Sequence, residues 1–217
     1  MPLKENGQQN LSQNKTNKKF VYLISPNKIK NDNFYTDLAL VFKSKKVNFF
    51  QLRLKKETSK NKLIIGKKIK LICNKYQVKF LINDDPLLAK KLNADGCHLG
   101  QEDMSIENAR KILKNKIIGV TCHNSINLAK IAITSGADYL AFGAFYSTQT
   151  KIVKHKANLK ILKSVKKITN LPIVAIGGIK HTNYKKLLLN NANFLAISGY
   201  IWNNKGYKPF EAIKELK

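Results

Sequence analysis

From Phe20 onward, short apolar runs alternate with amphipathic stretches along nearly the whole chain. Val21–Ser25, Asn48–Arg53, Lys79–Asn83, Gly96–Leu99, Ile117–Cys122, Tyr139–Phe142, Ile173–Ile176 and Phe194–Ser198 have the length and composition of buried strands. Between them, apolar residues recur every three or four positions over Phe34–Ser44, Lys60–Lys75, Ile106–Leu113, Leu128–Ser135, Leu159–Ile168 and Tyr184–Asn190. That is the period of a helix with one buried face. Leu87, Leu88, Lys91 and Leu92 mark a further short helix. Eight strand–helix units in about 200 residues predict an α/β fold, a (β/α)8 TIM barrel formed as a single domain over residues 20–217. A doubly wound open sheet uses the same units but gathers its ligands at one switch point. Here nearly every strand ends in polar residues or glycine, which favours a closed barrel with its site on the C-terminal rim.

The stretch Phe80–Asp103 carries the clearest chemistry. Phe80-Leu81-Ile82 stops at Asn83-Asp84-Asp85, and Cys97-His98-Leu99 stops at Gly100-Gln101-Glu102-Asp103. Parallel strands joined by a helix place both acidic ends on one rim. Two acidic clusters there suit Mg2+, which takes hard oxygen ligands, often one or two carboxylates plus substrate phosphates. Asp84 and Asp103 are the expected metal pair, with Asp85 and Glu102 as their competitors. Pro86 at the start of a helical pattern also makes Asp84 or Asp85 a candidate N-cap.

Other strand ends supply anion grips. Ile173–Ile179 runs into Gly177-Gly178 and Ala196–Gly199 ends in Ser198-Gly199, and loops after the seventh and eighth strands commonly hold phosphate in this fold. Ser147-Thr148-Gln149-Thr150-Lys151 puts two threonine hydroxyls and an ammonium into a polar loop after the sixth strand. His98 reads as a strand residue, packed or hydrogen-bonded in place. His123, just beyond Thr121, is open between a rim acid/base and a structural role.

Charge and composition change this picture little. The chain has 40 basic against 13 acidic residues, a formal charge of +27, but only Arg53 and Arg110 are arginine. Base readout favours the guanidinium fork, so no specific nucleic-acid partner is expected; the lysines decorate solvated helix faces. In so lysine-rich a chain, Arg53 at a strand end suggests a planar grip on phosphate or carboxylate, whereas Arg110 reads as a surface helix residue. Residues 1–19 have no apolar run and read as a disordered polar tail rather than a signal peptide. No stretch reaches membrane-spanning length, and Cys73, Cys97 and Cys122 lack paired spacing. A cytoplasmic protein without a membrane partner is expected, and the sequence leaves its oligomeric state open, a homo-oligomer included.

Taken together, QLRLK (51–55), LIND (81–84), ADGCHLGQED (94–103), IIGVTCHN (117–124), GADYLAFGAFYSTQTK (136–151), IVAIGGI (173–179) and AISG (196–199) resemble the thiamine phosphate synthase family. The resemblance implies a barrel that joins hydroxymethylpyrimidine diphosphate to thiazole phosphate with Mg2+, releasing pyrophosphate. By matching position it assigns Asp84 and Asp103 to the metal, and Gln51, Arg53, Lys55, Asn83 and Lys151 to the pyrimidine diphosphate. Thr148 and Thr150 fall to the thiazole, Gly178 and Ser198 to its phosphate, and Thr121 to the reaction centre. Arg53, Thr121 and Lys151 are the residues expected to act in catalysis.

Two departures stand beside the diphosphate: Asp85 where the family commonly has Arg, and Ile152-Val153 where it often has Lys-Asp. A thiazole tautomerase-like or otherwise non-coupling relative, with His123 as proton shuttle, is the alternative within the family. A basic, non-catalytic polyanion-binding barrel is the alternative outside it.

Overall fold

In the computed structural model, which describes residues 19–29, 31–148 and 155–217, eight parallel strands pair in sequence order and close. They are β1 (Val21–Ile24), β2 (Val47–Leu52), β3 (Lys79–Asn83), β4 (Gly96–Leu99), β5 (Ile117–His123), β6 (Tyr139–Gly143), β7 (Ile173–Ile176) and β8 (Phe194–Ile197). The open-sheet alternative is excluded by the pairing of β1 with β8, Val21 beside Leu195, Tyr22 beside Ala196 and Leu23 beside Ile197. Around the barrel lie α1 (Asn33–Lys43), α2 (Ser59–Lys75), α3 (Pro86–Lys91), α4 (Ile106–Leu113), α5 (Ile126–Thr134), α6 (Leu159–Lys166) and α7 (Tyr184–Leu189). Two further helices, α8 (Gly199–Trp202) and α9 (Pro209–Lys214), follow β8 and were not anticipated by apolar periodicity. Among the described residues no helix is long and apolar enough to cross a membrane. Of the polar segment expected over residues 1–19, all but Lys19 lies outside the described residues.

Strand side chains alternate in direction, so each strand serves two cores. One set packs against the helices and includes Leu23, Phe50, Phe80, Ile118, Phe142 and Leu195. The other fills the barrel interior with Tyr22, Ile24, Leu81, Tyr139, Ala141, Val174 and Ala196, edged by Phe49, Ile117, Ile176 and Phe194. Space for the interior rings is made by omission: a Cβ on Gly119 would lie 1.8 Å from Cζ of Tyr139.

A repeated device sets strand register at the N-terminal face. Asn93-Ala94-Asp95, Gly136-Ala137-Asp138 and Asn191-Ala192-Asn193 each join a helix to an even-numbered strand, with the first residue at φ 46°, 87° and 73°. The alanine of each is buried. The third residue then clamps the preceding strand at two points. The Asp95 backbone N–H donates to the Phe80 carbonyl and its carboxylate accepts from the Phe80 N–H, both at 2.8 Å. Asp138 clamps Ile118 likewise (2.7 and 2.7 Å), and Asn193 clamps Ile173 (2.8 and 2.8 Å). Arg110, read as a surface residue, belongs to this face. Its guanidinium donates to the Lys114, Lys116 and Gly136 carbonyls at 2.7, 2.6 and 2.8 Å and to Asp138 at 2.7 Å. The planar fork, not the charge alone, ties two helix–strand turns together.

Asp95 also pairs with Lys70 at 3.1 Å and Lys79 at 3.6 Å. Burial pushes its carboxyl up, but the Phe80 N–H and the two lysines outweigh burial and hold it below the usual range. Asp95→Ala strips the Phe80 N–H of its side-chain acceptor and should cost about 2 kcal/mol of unfolding free energy in urea at pH 7. A carboxyl held low stabilises the fold above its ordinary pKa and loses that effect as the pH falls through the lowered one. The gap between native and variant protein should therefore close on acidification below the ordinary aspartate range.

Candidate active site

At the C-terminal rim the inward positions of the strands turn from apolar to polar. Gln51 stands two residues beyond Phe49, Asn83 two beyond Leu81, His98 two beyond Gly96 and Thr121 two beyond Gly119, so the alternation that fills the barrel also aims these side chains into its mouth. Gln51 is only 2% exposed, and its amide Nε2 donates to Oδ1 of Asn83 at 3.0 Å. Arg53 is anchored through its backbone N–H to Oγ of Ser25 (2.9 Å) and through Nη1 to Oδ1 of Asn27 (3.1 Å). Burial lowers the pKa of the guanidinium while the charge of Asp84 raises it. Lys55 Nζ lies 3.0 Å from Oδ2 of Asp84.

The adjacent carboxylates divide their roles. Asp85 is the N-cap of α3, with Oδ1 accepting from the Leu88 N–H at 2.8 Å and Pro86 in the first turn. Asp84 takes a left-handed backbone, φ 63°, a conformation aspartate tolerates better than most residues, and donates its N–H to the His98 carbonyl at 2.8 Å. Its carboxylate is thereby turned to Lys55 and Asp103. Asp103 is held by the Gly100 N–H, 2.7 Å from Oδ2, whereas Glu102 is exposed. The Asp84 and Asp103 carboxyls lie within hydrogen-bonding reach of each other. Burial pushes Asp84 up, but Asp103 and Lys55 together hold it below the usual range. Burial and the Asp84 charge push Asp103 above it. Two like charges pressed together at a rim fit a hard divalent cation, which takes one or two carboxylates and leaves its other positions to water or phosphate.

Thr121 and His98 form a second cluster. Nε2 of His98 is 2.8 Å from Oγ1 of Thr121, and Nδ1 is 2.8 Å from the Tyr139 hydroxyl, which is itself 2.8 Å from the Tyr22 hydroxyl. Burial lowers His98 to about 4 and raises both tyrosines. The sequence reading of His98 as packed or hydrogen-bonded within its strand agrees with this arrangement, and only pairing across strands reveals the partners.

The opposite side of the mouth is glycine-lined. Gly177 and Gly178 have φ 104° and 61°, and a Cβ on Gly178 would lie 2.2 Å from the Ser147 carbonyl oxygen. The strand-seven loop and the loop after β6 thus touch backbone to backbone. Ser198 donates to the Ser25 carbonyl at 3.1 Å, and Trp202 Nε1 to the Ile24 carbonyl at 2.7 Å. Ser25, 1% exposed, therefore joins the Arg53 side of the rim to the Ser198 side, a role for which the sequence offers no motif. Thr148 lies beyond β6, partly buried. Thr150 and Lys151, with Gln149, Ile152 and Val153, lie outside the described residues. His123, at φ 53°, lies against His155 with ring centroids 4.2 Å apart and the rings tilted by 34°.

Residues 21–201 match the family model described as thiamine monophosphate synthase. The chain belongs to this family. Among members of the thiamine monophosphate synthase family, it is 80% identical to the thiamine-phosphate synthase of Pelagibacter ubique over 95% of this chain and 100% of that one. It is 40% identical to the enzyme of that name from Nitrosomonas eutropha, over 82% and 84% of the two chains. The thiamine phosphate pyrophosphorylase structure from Pyrococcus furiosus superposes with a TM-score of 0.79 at 28% identity, covering 92% of this chain and 94% of that one. A 3-hexulose-6-phosphate synthase shares the fold, with a TM-score of 0.65 at 17% identity.

Replacing Asp103 by Asn keeps the oxygen that accepts from Gly100 but removes one of two crowded charges. A carboxyl held above its ordinary pKa destabilises the fold once ionised, so the metal-free Asp103→Asn protein should melt roughly 2 °C above the native protein at neutral pH. The difference should vanish as the pH falls through the raised Asp103 titration. A lower melting temperature at neutral pH would show that the Asp103 charge stabilises the fold.

Proposed function

We infer that the chain is a thiamine phosphate synthase, coupling hydroxymethylpyrimidine diphosphate to thiazole phosphate. The observation that carries the assignment of roles is the convergence on one rim of a hydrogen-bonded amide pair, the buried Gln51 and the half-buried Asn83, with Arg53, Lys55, Asp84 and Asp103. In the reaction the bond between the pyrimidine methylene carbon and the diphosphate oxygen breaks, and its electron pair leaves with pyrophosphate. The thiazole nitrogen donates its lone pair to that carbon, forming the new C–N bond. No protein nucleophile enters the balance. What the protein must supply is orientation and neutralisation of the charge that grows on the leaving group.

The residues divide accordingly. Gln51 and Asn83, held by their mutual hydrogen bond, orient the pyrimidine diphosphate together with Arg53, Lys55 and Lys151. Arg53 and Lys151 stabilise the departing pyrophosphate, and Lys55 exchanges part of its contact with Asp84 for the substrate. Asp84 and Asp103 would hold a magnesium ion, whose chemistry when bound is to neutralise diphosphate charge. Thr121 stands at the reaction centre. Thr148 and Thr150 position the thiazole, whose phosphate is received by the backbone at Gly178 and by Ser198. Asp85, spent on capping α3, leaves the diphosphate to Arg53, Lys55 and Lys151, which supports coupling despite the family's usual arginine at that position. The cysteines are free and buried, which supports a reduced, cytoplasmic location.

Purified protein given both substrates and Mg2+ should form thiamine phosphate, read as fluorescence after oxidation, and chelation should abolish it. Asp84→Ala and Arg53→Ala should each lower turnover by roughly 100-fold or more. Folded native protein that makes no product would overturn the reading.

A further inference from the structure

Four side chains form an unbroken line from the barrel interior to its mouth: Tyr22, Tyr139, His98 and Thr121, with 2.8 Å at every link. The line is built into the sheet. His98 and Tyr139 are both register partners of Gly119, one from β4 and the other from β6. The Tyr139 ring occupies the place a Gly119 side chain would take, with only 1.8 Å to spare for a Cβ. A glycine in β5 thus opens the lane by which a phenol crosses one strand to reach the imidazole. The His98 and Tyr139 rings stack at 5.6 Å and 17°.

The direction of the hydrogen bonds follows from counting hydrogens. Tyr22 is 2% exposed and, among the described residues, bonds through its hydroxyl only to Tyr139. If Thr121 donated to His98, the ring would donate through Nδ1 to Tyr139, Tyr139 would donate to Tyr22, and the Tyr22 hydrogen would be buried without an acceptor. A doubly protonated ring has the same consequence. In the reverse direction every buried hydrogen is used: Tyr22 donates to Tyr139, Tyr139 to Nδ1, and Nε2–H to Thr121. Only lone pairs on Tyr22 stay unused, and an unfilled acceptor is tolerated better than an orphaned donor. One orphaned O–H biases the choice by roughly ten-fold or more.

We propose that this line is a one-way hydrogen-bond relay that holds His98 as the Nε2–H tautomer and turns the Thr121 hydroxyl hydrogen out into the mouth, as a fixed donor to the substrate. His98 and Tyr139 are then positioning residues, and Thr121 is the group that touches the reacting molecule. The proposal rests on the reading of Thr121 as a reaction-centre residue. It adds which way that hydroxyl points and what makes it do so. With its oxygen already accepting from Nε2–H, Thr121 presents a hydrogen to the diphosphate oxygen on which charge grows as the methylene carbon departs. No reorientation is required at that moment, which is the condition under which such a donor is most effective.

The tautomer can be read directly in the full-length protein at neutral pH without substrate, from the 15N shifts of labelled histidine, with His98 assigned by its absence in His98→Asn. Expected is a protonated Nε2 and an unprotonated Nδ1. A protonated Nδ1, alone or with Nε2, overturns the relay. Kinetics supply a second arm. The amide nitrogen of Gln overlaps Nε2, so His98→Gln keeps the donor to Thr121, whereas His98→Asn reaches only the Nδ1 side. Turnover should fall by about 3-fold in the first and by about 30-fold in the second, with KM for the pyrimidine diphosphate nearly unchanged in both.

Equal losses in the two variants, or losses carried by KM, overturn the positioning role. If either variant fails to fold, Tyr139→Phe, which keeps the ring, serves instead. It should shift His98 toward a tautomer mixture and lower kcat by about 10-fold, and an unchanged tautomer with unchanged kcat sinks the proposal. A protonated Nε2 in a protein that couples nothing would count against the assigned reaction and leave the relay standing.

Discussion

Closure of the sheet through β8 and β1 removes both free edges and forces every strand to end on one ring. From that follow the shared position of the polar strand ends and the need for an interior fill. It also explains the short reach between residues as distant in sequence as Ser25 and Ser198. An open sheet with the same strands would have left Ser198 and Arg53 at opposite edges, with Ser25 unable to bridge them. The clamps of Asp95, Asp138 and Asn193 on the preceding strands act on the same constraint. A slip of one residue would turn Gln51, Asn83, His98 and Thr121 outward together.

The rim concentrates unfavourable charge by design of position. Asp84 and Asp103 press like charges together, Arg53 is partly desolvated, and Lys55 is committed to Asp84. The ionised Asp103 and the desolvated Arg53 cost stability in the free protein, whereas the Lys55–Asp84 pair favours the fold. The N-terminal face shows the opposite economy. Arg110 and Asp138 meet in a fully satisfied cluster that stabilises two turns. The two arginines of a chain rich in lysine stand one at each end of the barrel, and at Arg110 the planar fork is fully used.

The strand and helix order was legible because the two periods, about two and about three and a half, leave different marks on the order of apolar residues. All eight strands fall within a residue or two of where alternation and length put them. The rim was legible because polar residues interrupt those runs at the same end each time. Which of Asp84 and Asp85 caps α3 was not, because neighbouring residues share every local signal. The bond from the Leu88 N–H to Asp85, beside a left-handed backbone at Asp84, decides it. Helix α8 escaped because a helix of about one turn carries no readable period.

By itself, then, the sequence determined the barrel, the rim and the types of side chain gathered there, since periodicity and composition are local properties of a chain. Only the tertiary structure decided which of those side chains meet. That Gly119 clears a path for Tyr139, that His98 faces Thr121, and that Ser25 joins two strand ends are facts of register between strands. Register is set by closure of the sheet together with the clamps between neighbouring strands, contacts that no single stretch of sequence contains.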